Sequence, residues 1–165
     1  MLPSHTNFSG KIHGGYILSL LDQIAFACAC KFSGNYCVTA AVDTVEFLNP
    51  IEVGELVIMK ASVNYVGTSS MIIGIRVESE TIQTGKIKHC NSSYFTMVAK
   101  DKDGKNVKVP GLILSNLEDV WRFHHCINQI KLKKEKKLHE VIFDHKSAES
   151  LSELKNYNIK LELDL

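Results

Sequence analysis

Asp22 stands inside an otherwise apolar run, HGGYILSLLDQIAFACACK from His13 to Lys31, that opens on a Gly-Gly pair. A lone carboxylate in such a helix can serve as a general base or as a nucleophile. The helix start offers unpaired N–H groups and positive dipole character, which bind an oxyanion or polarise a carbonyl. Glycine at 14 and 15 lets a carbonyl approach that main chain without meeting a Cβ. Asp22 follows Gly15 by seven residues, close to two turns, so both lie on nearly one face. The same pattern fits a structural acid that hydrogen-bonds a strand or a neighbouring subunit. His13 reads either as a base or as a helix cap, and Asn7 either as a turn residue or as an amide holding water or a carbonyl.

Other chemistries find little purchase. Lys100-Asp101-Lys102-Asp103-Gly104 has the opening of a calcium loop, but the twelfth position from Asp101 is Leu112 rather than glutamate. Adjacent His124 and His125 point in different directions on a helix and make no metal pair. There is no G-x-S-x-G elbow and no P-loop. The five cysteines are odd in number and lack C-x2-C spacing, which reads as free thiols in a cytoplasmic protein. A net charge of +1 with 45% hydrophobic and 22% charged residues is ordinary globular composition and points to no nucleic-acid partner. The apolar run carries Asp22 and Gln23 near its middle and lacks a basic start, so neither a signal peptide nor a membrane span is expected.

The elements that must position these residues follow in order. Met1 to Lys11 reads as a loop or irregular arm. The helix runs to about Lys31, with Ser33-Gly34-Asn35 as its stop, and its lack of a polar face predicts burial on nearly every side. Period-two patterning then predicts strands over YCVTAAVDTVEF, LVIMKASVNYV (56–66), SMIIGIRVESE (70–80) and KIKHCNSSYFTMVAK (86–100), with turns at Gly67-Thr68-Ser69 and Asp103-Gly104. One helix followed by consecutive long strands predicts an α+β fold, an antiparallel sheet curled around the helix. A lone protomer would expose strand edges and apolar surface, so oligomerisation is expected.

Beyond Val109-Pro110-Gly111 the character changes, and residues 112–165 are read as an extension of a 1–111 domain. Ser115 with Glu118 predicts a capping box, and Leu117, Val120, Trp121, His124, Ile127 and Ile130 a helical stripe over 116–137. The lysine-rich KLKKEKK that ends it reads as a solvated helix end or as a phosphate-binding patch. LHEVIFD, SAESLSELKN and NIKLELDL follow, strand-like, helical and unassigned in role.

Taken together, Asn7-x-x-Gly10-x-x-His13-Gly14-Gly15, Leu21-Asp22, VTAAVDTVEFLNPIEVGE, VGTSSM and FTMVAKDKDGK resemble the hotdog-fold acyl-CoA thioesterases of the cytosolic acyl-CoA hydrolase group, over about residues 3–111. The resemblance implies a long helix wrapped by a curved antiparallel sheet, a homodimer as the smallest unit, a trimer of dimers as the common assembly, and active sites at the dimer interface. It further implies Asn7 of one subunit and Asp22 of the other as the catalytic pair and Gly15 N–H as the carbonyl-polarising donor. His13, Gly14 and the turn residues Gly67, Thr68, Ser69 and Ser70 are the implied substrate contacts. The implied reaction is hydrolysis of acyl-CoA to free acid and CoA without a cofactor, Asp22 activating water or attacking directly. Arg76, Lys86 and Lys88 read as CoA phosphate partners or as solvated strand cations. Two alternatives stand beside it: an enoyl-CoA hydratase or dehydratase using His13 with Asp22, and a CoA-binding module without catalysis.

Overall fold

A computed structural model describes residues 1–43 and 45–138; Met1–Asn128 forms one compact unit, and a second begins at Gln129. The strand-like and helical readings after Leu138 lie outside the described residues. The elements are α1 (Gly14–Ser33), β1 (Tyr36–Val42), β2 (Glu46–Phe47), β3 (Leu56–Val66), β4 (Ser70–Thr81), β5 (Lys86–Lys100) and α2 (Leu117–Leu138). Gly34 ends α1 in the left-handed region at φ 68°, its N–H bonding to the Cys30 carbonyl, which is why the helix stops where a glycine follows it.

All strands join one antiparallel sheet in the order β1-β5-β4-β3, with β2 continuing beside β5. The run expected as one strand from Tyr36 to Phe47 is described as two, β1 ending at Val42 and β2 opening at Glu46. Helix α1 touches β1, β3, β4 and β5 alike. Four strands at about 4.8 Å spacing would span more than a single helix covers if flat, so the sheet bends around α1. The core lies between them, where Ile17, Leu21, Ala25 and Ala29 meet Met71, Ile73, Ile75, Val77, Phe95, Met97 and Ala99.

Burial of α1 differs from the expectation. Only Ile17, Leu21, Ala25, Ala29 and Ser33 are buried, one residue per turn, whereas Leu18, Phe26 and Asp22 are exposed. The reason is geometric: one sheet covers one stripe of a helix, and no other described element covers the rest. The apolar remainder of α1 lies next to β1, whose outer edge pairs with no strand among the described residues.

Helix α2 lies against the other sheet face, with Phe123 tilted against Tyr65 and His125 between Tyr94 and Trp121. Its buried residue is Cys126, and the expected stripe is displaced, since Leu117, Val120, Trp121 and His124 are exposed. The cap is displaced by one residue as well. Asn116 Oδ1 accepts from the Asp119 N–H, and Asp119 returns a bond to the Ser115 N–H.

Candidate active site

Asp22 sits mid-helix and exposed, its carboxylate reaching the middle of β1. Its Oδ1 accepts a 2.6 Å hydrogen bond from Thr39 Oγ1, which also lies 3.5 Å from Met97 Sδ. Asp22 and Thr39 open onto a cleft of about 500 Å³ lined by Gln23, Phe26, Tyr36, Cys37 and Val38. Thr39 drew no notice in the sequence. A threonine in a strand is unremarkable until the β1–β5 register, with Thr39 opposite Met97, turns its hydroxyl towards α1.

The helix start is organised by side chains. His13 is the N-cap, its Nδ1 accepting the Gly15 N–H at 3.0 Å. That N–H, expected to face a carbonyl, is therefore engaged, while the Gly14 N–H meets no acceptor among the described residues. A side chain at either glycine would press on a neighbouring side chain. A Cβ on Gly14 would stand 3.3 Å from the Phe47 ring, and one on Gly15 3.1 Å from His13 Nδ1. Behind them the N-terminal arm is pinned rather than loose. His5 stacks on Tyr16 with ring centroids 3.9 Å apart, its carbonyl accepts from the His13 N–H, and the Met1 ammonium bonds the Glu55 carbonyl.

Asn7 folds a tight turn. Its Oδ1 accepts from the Ser9 N–H, the Ser9 hydroxyl and the Lys11 N–H, its main chain bonds the Lys11 carbonyl, and Gly10 supplies φ 75°. The carboxamide oxygen is thus committed to the turn, which leaves Nδ2 as the outward-facing donor. No hydrogen bond joins Asn7 to Asp22 within the chain.

Gly67, Thr68, Ser69 and Ser70 form the β3–β4 turn, the Gly67 N–H bonding the Ser70 carbonyl and the Thr68 and Ser69 carbonyls accepting from Val109 and Ala99. Ser70 pairs with Val98, which pairs with Val38. The turn consequently lies at the same end of the sheet as Thr39, about two strand spacings or ~10 Å away. Arg76 is not a free cation, because its Nε donates to Glu78 at 2.7 Å, and Lys88 pairs with Glu55 at 2.9 Å. Lys86 lines a separate groove with Glu52, Glu55 and Thr81.

Residues 9–86 match the family model of the thioesterase superfamily. The uncharacterized acyl-CoA thioester hydrolase YkhA of Bacillus subtilis is 32% identical over 139 residues, which cover 84% of this chain and 81% of that one. This chain belongs to the thioesterase superfamily. It has the hotdog fold of the acyl-CoA thioesterases, a long helix against an antiparallel sheet. VdlD of Helicobacter pylori is 46% identical over 110 residues, 67% of this chain, and the match spans 63% of that relative's length. Among solved structures, a hexameric acyl-CoA thioesterase aligns with a TM-score of 0.81 at 31% identity, covering 85% of this chain and 90% of its own. The acyl-CoA hydrolase of Staphylococcus aureus, solved with butyryl coenzyme A, aligns at 0.77 and 29% identity, covering 94% and 89%. Alanine variants of that hydrolase at an asparagine, an aspartate fifteen positions later and a threonine seventeen further on are also known. Asn7, Asp22 and Thr39 have this spacing.

Proposed function

We propose that this thioesterase-superfamily member hydrolyses acyl-CoA thioesters to the free acid and CoA, with each site shared between two copies of the chain. The observation that carries the reading is the Asp22 carboxylate, held by Thr39 at the rim of an open cleft beside a strand edge that no described strand pairs. The matching asparagine, aspartate and threonine spacing in the Staphylococcus aureus hydrolase supports the same three residues here.

The division between copies follows from lengths. Seven residues of α-helix put Gly15 and Asp22 roughly 10 Å apart along the axis. The N–H groups at a helix start point outward along that axis, so a carbonyl bound there lies about 3 Å further away. A water attacking that carbonyl sits about 3 Å from the carbon and within hydrogen-bond reach of its base. One helix is too long to supply both parts of one site, although both lie on its same side. The Asp22 of one copy therefore serves the helix start of another, where the Gly14 N–H polarises the thioester carbonyl and His13 keeps the Gly15 N–H in the cap. Asp22 takes the proton from water as that water attacks. Asn7 Nδ2 orients the water or the carbonyl, and the thiolate of CoA leaves. No cofactor enters this reaction. The Gly67–Ser70 turn, at the Thr39 end of the sheet, borders the path of the pantetheine arm.

A hexamer built from such dimers is part of the reading, supported by hexameric thioesterases that this chain resembles, including one from Yersinia pestis. A cytoplasmic site of action draws support from mammalian relatives named cytosolic acyl coenzyme A thioester hydrolases. The hydratase alternative is disfavoured because His13 commits Nδ1 to the helix cap.

The deciding experiment is a thiol-release assay over acyl-CoAs of increasing chain length, on the native protein and Asp22→Ala. We expect turnover by the native protein and a loss on the order of a hundredfold or more in the variant, as for removal of a general base. CoA binding without turnover at any chain length would leave only a binding module.

A further inference from the structure

The turn that carries Asn7 has a feature the reaction does not explain. Phe8, the next residue, is the most exposed large apolar side chain among the described residues. Mobility does not account for it, because the turn is over-determined: three donors converge on Asn7 Oδ1, two main-chain bonds close the loop, and Gly10 takes the positive φ. A turn tied by this many bonds presents the ring in one direction, and a fixed aromatic ring is suited to anchor in a pocket of matching character.

An acceptor of matching character lies on the same chain but in a different place. The cleft beside Asp22 is walled by Phe26 and Tyr36, whose rings meet edge-on at 5.7 Å, with Val38 and Cys37 completing the apolar lining. It opens at the edge of β1 that no described strand pairs, where a second copy would pair. Two such faces, turn and cleft, satisfy each other twice in a two-fold dimer, since each copy offers one of each.

We propose that Phe8 is an anchor that enters the Asp22 cleft of a second copy, packs against its Phe26 and Tyr36, and so delivers Asn7 to that copy's Asp22. The catalytic half of this inference rests on the function proposed above; the contact itself does not. Phe8 is then a positioning residue. It acts through Asn7, whose distance from the partner's carboxylate it sets, and the stiffness of the turn carries the placement from one residue to the next.

Two measurements on the full chain test it. In a Cys37→Ser background, since native Cys37 lines the same cleft, Phe8→Cys combined with Tyr36→Cys should give a covalent dimer on mild oxidation, seen on a non-reducing gel and absent from either single variant. No dimer from the double variant, in protein of native circular dichroism, overturns the contact. For the catalytic half, Phe8→Ala should lower kcat at least tenfold with a smaller change in KM, and Phe8→Leu should recover most of it. Co-refolding Phe8→Ala with Asp22→Ala should restore up to about a quarter of native turnover, because mixed two-fold dimers hold one intact site. Mixtures no better than their parents would show that Phe8 serves its own chain's Asp22. If the native protein hydrolyses no acyl-CoA, the enzymatic reading fails, and the cross-link still decides the anchor.

Discussion

At the scale of single residues, Thr39 decides how Asp22 is presented. A hydroxyl that donates at 2.6 Å holds one carboxylate oxygen, leaving the other for water. Thr39→Val keeps the shape and removes the donor, and we expect kcat to fall about tenfold with KM changed little, the pattern for loss of an interaction that matters to the transition state. Steady-state kinetics with thermal melts in parallel separate this from unfolding. Glu78 sets a different pH dependence. Hydrogen bonds from Arg76 and then Lys60 outweigh its desolvation and hold its carboxyl down at about 2, below the 4.5 of a free glutamate. A depressed folded-state value means stability that is present above the ordinary carboxylate range and lost as pH falls towards 2. Acid unfolding followed by circular dichroism should therefore steepen below about pH 4.5, and Glu78→Gln should flatten that limb relative to the native protein.

At the scale of elements, β3 shows how a sheet makes room for a side chain. The β3–β4 register shifts between Val63 and Tyr65, and the bulge aims Asn64 across the sheet, where it is almost fully buried over Gly74. A Cβ at Gly74 would fall 2.1 Å from Asn64 Nδ2 and 3.3 Å from the Tyr94 ring, so no larger residue fits without displacing the amide. Gly74→Ala should cost about 1–3 kcal/mol, the range for overpacking. Urea denaturation measures it, and Asn64→Ala in the same chain should return part of that loss. Helix α1 illustrates the reverse case. Its sheet buries one stripe, and the apolar residues left over, Leu18 and Phe26 among them, stay exposed among the described residues.

At the scale of the whole molecule, the edge of β1 that no described strand pairs and the exposed flank of α1 are surfaces a second chain can cover, and the proposed site, too long for one helix, calls for that chain. Ala40 lies at the bulge of that edge, where the β1–β5 register shifts between Thr39 and Ala41. Ala40→Glu puts a charge at the edge in each of two facing strands, and like charges there are unfavourable. Light scattering should report a fall in mass from the native oligomer, with thiol release falling in step. A monomer that keeps full turnover would contradict a site divided between copies.

Local signals carried much of this protein into view. Gly34 marks the end of α1, period-two runs mark β3, β4 and β5 almost to the residue, and the spacing of Asn7, His13, Gly14, Gly15 and Asp22 marks the candidate site. These are properties of neighbours in the chain, set by backbone propensity and by which side a residue faces. What meets what was decided by tertiary structure. Asp22 turned out exposed because one sheet covers one stripe of α1, and Thr39 became its partner through the β1–β5 register. The buried face of α2 turned by a residue or so because Phe123 and Cys126, rather than Trp121, fit the sheet beneath. Periodicity states that a helix has an apolar side; only packing against a particular curved sheet selects how much of that side one chain can cover, and hence what is left for another.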